Sequence, residues 1–332
     1  MASKNLINVL FTLFLISTLL ITLSALETEE EWWWSRSRRR NRRNNRIDRH
    51  KQQQESKKDS NWMKQISSNT LISRISIPGT HDSAAVKLQR PIGGGRWYWF
   101  IMGAVNKFGQ TQKWSIYDQL KHGVRYLDMR PSSDGWIYHG KYPTKYKFTQ
   151  VLNEVSRFLR SHPSETVIMS ISKEHGSESN VAFTRYFNKI KSKYRKLFYI
   201  SSRIPTLGQV RGKIWPIIDF VYFGDAFRWK NNPKLHLQDE YHWHGERKKR
   251  RYILQHLVDS QGRPHQIHLN LFSASVSNVK QGIKSLGATP KRISKKMNRV
   301  IFDISRSKFL GICVFDFPSQ QIIRRVYLRN LK

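Results

Sequence analysis

The sequence predicts an α/β fold, a distorted TIM-type (β/α) barrel forming a single domain, and three observations lead there. The chain has 332 residues, 39% of them hydrophobic and 12% aromatic, which is enough to bury the one large core that such a barrel needs. From about Asn61 onward, short β-branched runs alternate with longer amphipathic stretches, the signature of βα units around a parallel sheet. Polar and charged residues stand directly after one apolar run after another, as they do when parallel strands deliver their C-terminal ends to a common face.

In chain order, residues 1–26 form a signal peptide or a signal anchor. Leu6 to Leu26 carry no charge, follow Lys4 and are rich in Leu, Ile and Phe, long enough for either role. Ser24 and Ala25 offer an imperfect small-residue cleavage site. Cleavage would give a protein that is secreted or held at an extracellular membrane surface. Retention would leave residues 6–26 as a membrane anchor, and the positive-inside bias would then place the basic side that follows in the cytoplasm.

Residues 27–60 have the composition of a disordered tether. Glu27 to Glu31 and the cluster Trp32-Trp33-Trp34 are followed by Arg36 to Lys58, a stretch with eleven basic and two acidic side chains. It holds too little apolar surface to fold. Its arginines suit anionic head groups and its tryptophans a membrane interface.

The barrel proper is expected over 61–332. Its strands are Ile72 to Ile77, Val124 to Met129, Trp136 to Tyr138, Thr166 to Ser172, Lys213 to Ile218, Leu235 to Gln238, Ile267 to Phe272 and Gly311 to Phe315. Helical periodicity marks Thr149 to Ser161, Ser179 to Tyr194, Glu246 to Val258 and Pro290 to Ile304. No internal repeat is visible.

Charge narrows the partners. Lys and Arg outnumber Asp and Glu by 59 to 23, a formal +36, so the chain attracts anionic surfaces, lipid or nucleic acid. The single cysteine, Cys313, lies in an apolar run and is expected as a buried small hydrophobe; it excludes an intramolecular disulfide. There is no Asn-x-Ser/Thr acceptor, no Gly-x-Ser-x-Gly elbow and no Gly-x-x-x-x-Gly-Lys-Ser/Thr loop, which weakens serine-hydrolase and nucleotide-cradle functions.

After the first apolar run come His81 and Asp82, after the second Arg130, and after the third His139. Lys173 and Glu174 follow the fourth, Asp239, Glu240 and Tyr241 the sixth, and Asp316 the last. Two histidines with carboxylates and fixed cations on one rim suit a phosphodiester. One imidazole takes the proton of an attacking hydroxyl and the other protonates the leaving oxygen, while cations stabilise the charge of the pentacoordinate phosphorane.

At these residues the sequence resembles a known family. The segment Ile75 to Ser83 (ISIPGTHDS), the run Asp118 to Arg130, Tyr138-His139-Gly140, and His162-Pro163-Ser164-Glu165-Thr166 with Ser170 to Glu174 are similar to the X domain of phosphatidylinositol-specific phospholipase C in its compact bacterial-type, metal-independent form. The resemblance covers roughly Asn61 to the C-terminus. It implies that His81 deprotonates the inositol 2-hydroxyl, that His139 protonates the diacylglycerol oxygen, and that Arg130 does the work of a metal, with no cofactor. Asp82 would orient Arg130 or His139, and Asp316 would hold the His81 imidazole. Lys173, Asp239 and Tyr241 match inositol-binding positions. Asp219 departs from the family, which usually has a basic residue there, and this bears on head-group preference.

The aromatic run Trp97, Tyr98, Trp99 and Phe100 is expected at the membrane interface, where the family inserts a short helix. His242 and His244 with Glu246, and His265 with His268, fit no standard zinc spacing and are expected as surface histidines. The expected partners are an inositol phospholipid substrate and an anionic membrane surface. Nucleic acid is disfavoured and the chain is expected as a monomer. Two other functions compete: a catalytically weak anionic-lipid or nucleic-acid binder on the same barrel, and a metal-dependent phospholipase D, which needs acidic magnesium ligands beside the first histidine.

Overall fold

The computed structural model describes residues 54, 56–91, 95–174, 179–274 and 290–331. The apolar segment 6–26 and the tether up to residue 53 lie outside them, and so does the Gly-rich stretch 92–94. Among the described residues no helix is long and apolar enough to cross a membrane.

The folded body is Lys57–Lys332, so it starts four residues before Asn61. Residues 56–60 are helical rather than part of the tether. Tertiary contacts hold it there: Asp59 is buried and accepts from Arg324 Nε at 2.9 Å, Nη2 at 2.8 Å and the Tyr327 hydroxyl. These contacts fasten the entry of the domain to its last helix.

Eight parallel strands make one curled sheet, in the order β7-β6-β5-β2-β1-β10-β9-β8. They are β1 (Ile77–Thr80), β2 (Tyr126–Met129), β5 (Val167–Ser172), β6 (Ile214–Asp219), β7 (Phe227–Arg228), β8 (Leu235–Gln238), β9 (Ile267–Leu271) and β10 (Ile312–Phe315). A separate antiparallel hairpin pairs β3 (Trp136–His139) with β4 (Tyr142–Lys147). No described ladder joins β7 to β8, which is the distortion of this TIM-type barrel. Continuous apolar strands such as Ile214-Trp215-Pro216-Ile217-Ile218 are buried throughout, as parallel strands covered on both faces must be.

The helices lie around the sheet. Phe148–Ser161 buries Phe148, Val151, Leu152, Val155, Phe158 and Leu159, one face of a 3.6-residue period. A second apolar layer gathers Ile253, Leu257, Ile293, Met297, Ile322 and Val326 from three helices against Phe272, Cys313 and Phe315. Cys313 is fully buried there, and burial pushes its thiol up to about 12, in keeping with its expected structural role. Gly79 in β1 has a packing reason: an added Cβ would meet the Tyr126 ring atom Cδ1 at 2.7 Å.

Several expectations are corrected. The run Ile72 to Ile77 is a 3-10 turn, Ile72–Arg74, leading into a strand that begins at Ile77. Its isoleucines are buried all the same, so the apolar pattern reported burial and not extension. Trp136 to Tyr138 is a strand, but of the outer hairpin and not of the barrel. β4 and the two-residue β7 were not anticipated, being polar in one case and too short to show a pattern in the other. The helix expected over Pro290 to Ile304 is α-helical only to Met297 and continues as a 3-10 turn, Asn298–Phe302.

Candidate active site

At the C-terminal end of the sheet lies a cleft of about 340 Å³. His81, Asp82, Arg130, His139, Asp239 and Asp316 line it, with Phe108, Tyr241 and Glu174. The backbone builds it in steps. The His81 N–H donates to the Phe315 carbonyl at 3.1 Å, which extends the β1–β10 ladder by one residue. The chain then turns sharply, with Asp82 at φ 40°, and Phe317, after Asp316, has φ 44°. Such left-handed non-glycine residues persist only when their surroundings hold them. Here the segment before Trp114 does so: Thr111 Oγ1 donates to the Asp82 carbonyl at 3.0 Å, and Gln112 Nε2 donates to the carbonyls of His81 at 2.8 Å and Phe315 at 3.0 Å. Phe317 N–H donates back to the Thr111 carbonyl at 2.8 Å.

The side chains form one charge network. Arg130 places Nε 2.8 Å from Asp82, Nη2 3.1 Å from Asp128 and Nη1 3.1 Å from Glu174. Asp82 Oδ2 is also 3.3 Å from Nε2 of both His81 and His139. His81 Nδ1 lies 2.9 Å from Asp316, and its Nε2 lies 3.2 Å from Arg130 Nη2. His139 Nδ1 donates to the Gly109 carbonyl at 2.8 Å, so its other nitrogen, Nε2, is the one turned to the cleft and to Asp82. The hairpin explains the reach of His139: Gly140 turns at φ 58° and its N–H donates to Glu174 at 2.9 Å.

Electrostatics follow from these distances. Burial works to lower the His81 imidazole, but Asp82 and Asp316 outweigh both it and the opposing Arg130, raising His81 to about 9. Burial works to raise Asp82, and Arg130, His81 and His139 overcome it, holding the carboxyl well below its usual range. For Arg130, too, the carboxylates of Asp128, Asp82 and Glu174 outweigh the cost of burial and keep the guanidinium charged.

The five residues expected to be catalytic therefore meet in one place. Asp82 faces both of its expected partners, and His81 as well. Asp239 and Tyr241 stand on the rim, where Asp239 feels the charges of His81 and Lys249. Lys173 is half-buried at the end of β5 and is not part of the cleft wall, and Asp219 pairs with Lys230 at 3.2 Å. Asp128, Glu174 and the Gly109 carbonyl were given no role. Asp128 carried a signal, since it lies two residues before Arg130 at the end of a strand and so on the same face. Glu174 stood after the fourth apolar run and so on the expected rim, but its pairing with Arg130, like the Gly109 carbonyl, enters through tertiary folding alone.

The helix Trp97–Gly109 forms one wall through Phe108 and carries Trp99 and Phe100 out to solvent, 68% and 81% exposed. The side chains of Trp97 and Tyr98 lie outside the described residues. Arg90 stacks its guanidinium 5.2 Å from the centre of the Trp99 ring.

The expectation of surface histidines needs one correction. His244 and His265 are exposed, but His268 is buried, in contact with His236 and His256. Register explains it: His268 sits in β9 opposite His236 of β8, under a helix. Burial lowers all three imidazoles, His256 to about 4.

Known proteins share this frame. Residues 100–216 match the family model "Phosphatidylinositol-specific phospholipase C, X domain". The chain is 29% identical over 291 residues to the 1-phosphatidylinositol phosphodiesterase of Listeria monocytogenes, covering 81% of this chain and 84% of that protein. A Staphylococcus aureus protein of the same name is 31% identical over 171 residues, 48% of this chain and 50% of that one. The solved phosphatidylinositol-specific phospholipase C from Listeria monocytogenes superposes with a TM-score of 0.68 at 27% identity, over 82% of this chain and 98% of that one. The barrel, the ordered motifs and these likenesses agree: the chain is similar in sequence and fold to bacterial phosphatidylinositol-specific phospholipase C, and its residues 100–216 match the X-domain model of that family.

Proposed function

We propose that this barrel cleaves phosphatidylinositol, or a glycosyl-phosphatidylinositol, to diacylglycerol and a cyclic inositol phosphate. His81 and His139 act as base and acid, and Arg130 stands in place of a metal. The observation that carries the reading is the Arg130 guanidinium, which turns each of its three nitrogens to a different carboxylate. His81, Asp82 and Asp128 bring ligand atoms within 4.8 Å of one another, the kind of acidic cradle a phospholipase D uses for magnesium. Arg130 already lies on both carboxylates, so its permanent charge supplies the cation there.

The chemistry then runs through two imidazoles. With Nδ1 directed at Asp316, His81 presents Nε2 as the base for the inositol 2-hydroxyl through its neutral form, whose share grows as the pH rises toward about 9. The 2-oxygen bonds to phosphorus as the bond to the diacylglycerol oxygen breaks. His139, held through Nδ1 on the Gly109 carbonyl, delivers its Nε2 proton to that oxygen. Arg130 stabilises the phosphorane oxygens. Asp239 and Tyr241 on the rim fit the inositol ring, the carboxylate taking hydroxyls and the phenol packing on the sugar face. Trp99 and Phe100 reach the lipid surface, and in this reading the protein acts there as a monomer, with Arg130 in place of a cofactor, at a secreted or extracellular membrane face.

The deciding experiment incubates the protein with phosphatidylinositol vesicles in excess chelator and follows phosphorus NMR. A cyclic inositol phosphate is the expected product. Strict calcium dependence would refute the role of Arg130, and vesicle binding without product would identify a lipid-binding barrel. Replacing Trp99 and Phe100 with Ala should weaken activity on vesicles and spare a soluble inositol phosphate ester, because interfacial burial is worth roughly 1.5–3 kcal/mol per fully buried large side chain only to the lipid-bound enzyme. Equal loss on both substrates would place this helix in the soluble chemistry.

A further inference from the structure

We propose that His236, His256 and His268 form a binding site for one divalent transition-metal ion, zinc foremost, where the helix Glu246–Ser260 packs on β8 and β9. The topology makes the juxtaposition. His236 and His268 are register partners on adjacent parallel strands, so both side chains leave the same face of the sheet. The helix lays His256 over them, its ring stacked on His236 with centroids 4.4 Å apart and planes 6° apart, so one of these two rings turns on binding to bring both in-plane lone pairs onto one ion. One ring nitrogen from each lies within 4.8 Å of the other two.

The outer nitrogens fix which atoms are left to bind. His256 Nε2 donates to the His236 carbonyl at 3.1 Å, and His268 Nε2 donates to the Arg263 carbonyl at 3.0 Å. A carbonyl only accepts, so both protons sit on Nε2 and both Nδ1 atoms carry lone pairs. This is the arrangement that orients metal-binding histidines, the second ring nitrogen being tied to a backbone oxygen. His236 Nδ1 then donates to the His268 Nδ1 lone pair across 3.2 Å in the metal-free protein, so an ion would displace that proton to His236 Nε2, and the separation is already close to the roughly 3.3 Å edge of a tetrahedron with zinc–nitrogen bonds of about 2.0–2.1 Å.

His256 Nδ1 points to a ligand independently. His256 is 4% exposed and this nitrogen has no hydrogen-bond partner among the described residues, a state that native interiors seldom leave unexplained. A metal supplies the missing partner. The donor set selects the ion: three imidazole nitrogens with neither carboxylate nor thiolate among them suit zinc, cobalt, nickel or copper and do not suit calcium or magnesium. His236 is half-buried, which leaves the fourth position to water. Because β8 runs directly into Asp239 and Tyr241, an ion here would tie the floor of that rim to the helix behind it.

The test uses the full chain, dialysed against chelator and titrated with Zn²⁺ and with Co²⁺. The expected result is one equivalent per chain, the visible absorption of tetrahedral cobalt, and a Tm raised by several degrees at about 100-fold zinc excess over Kd. His256→Gln and, in case that variant does not fold, the more peripheral His236→Asn should each lose the equivalent, with affinity falling at least about tenfold. His81→Ala should keep it, since the catalytic cleft is a different site. Absence of saturable binding, retention of the equivalent in a folded His256→Gln or His236→Asn protein, or its loss in His81→Ala would each overturn the proposal.

Discussion

Histidines occupy two opposed settings in this barrel. His81 emerges after β1 between the carboxylates of Asp82 and Asp316 and is raised to about 9. His236, His256 and His268 meet one another between strands and helix and are all lowered, His256 to about 4. Burial pushes both groups in the same direction, toward the neutral ring. What separates them is whether a carboxylate lies within ion-pair distance, so neighbouring charge decides the protonation state and burial sets how strongly it is felt. One fold thus keeps a proton-carrying imidazole, His81, at the C-terminal rim and lone-pair imidazoles farther back along the strands.

The comparison breaks most visibly when the rim histidines are removed. His81→Ala and His139→Ala should each lower turnover by about 10²–10⁴-fold in a steady-state assay on phosphatidylinositol, the range of a lost general acid or base. Because both serve one transfer, the double variant should fall far short of the product of the singles. Near-native turnover in either single would end the assignment.

Next comes the cation that shares those carboxylates. Arg130→Lys should cost on the order of 100-fold in kcat, since a point charge cannot face Asp82, Asp128 and Glu174 at once as the guanidinium fork does. A lysine enzyme of nearly full kcat would reduce the fork to mere net charge.

A finer lesion converts one setting toward the other. Asp316→Asn removes a carboxylate that raises His81, so the His81 pKa must fall. In the proposed reaction His81 works neutral, which makes the rising limb of kcat/KM against pH report this group. The limb should therefore move to lower pH in Asp316→Asn, with a smaller loss of maximal rate than in His81→Ala. An unmoved limb would assign the titration to another residue.

Legibility in the sequence follows the same division. The rim residues could be read because each stands one or two positions after an apolar run, and a parallel sheet collects such positions whatever the helices do. His236 and His256 could not be read: their contact needs the β8–β9 register and a helix docked at one angle, neither of which leaves a mark in residue spacing. The Gly109 carbonyl is hidden for that reason too, since His139 reaches it from a hairpin that folds outside the barrel, and so is the Gly140 N–H that Glu174 accepts from, although Glu174 itself follows the fourth apolar run. Ile72 to Ile77 misled for a different one, since hydrophobicity records burial and a buried 3-10 turn looks like a strand.

The smallest effect expected is thermodynamic and gives the comparison its sign. His81 has a folded pKa of about 9 against 6.5 for an unperturbed ring, so the folded state binds its proton more tightly than the unfolded chain does. Its contribution to stability is then fully present below about pH 6.5 and disappears as the pH rises through about 9. At 1.36 kcal/mol per unit, and with His81 partly open to the cleft, that contribution is on the order of 2 kcal/mol. Asp82 has the opposite sense: its depressed pKa stabilises above about 3.8 and is lost as the pH falls. Both are in force between these limits, which places the widest stability margin of the rim on the mildly acidic side. Urea denaturation of the wild type and of His81→Gln from pH 6 to 10 tests this directly. The stability difference between the two proteins should shrink steadily toward the alkaline end, because the wild type alone loses a bound proton there. A difference that stays constant with pH would mean that His81 holds no extra proton in the folded state, and the rim and rear histidines would then no longer be opposites.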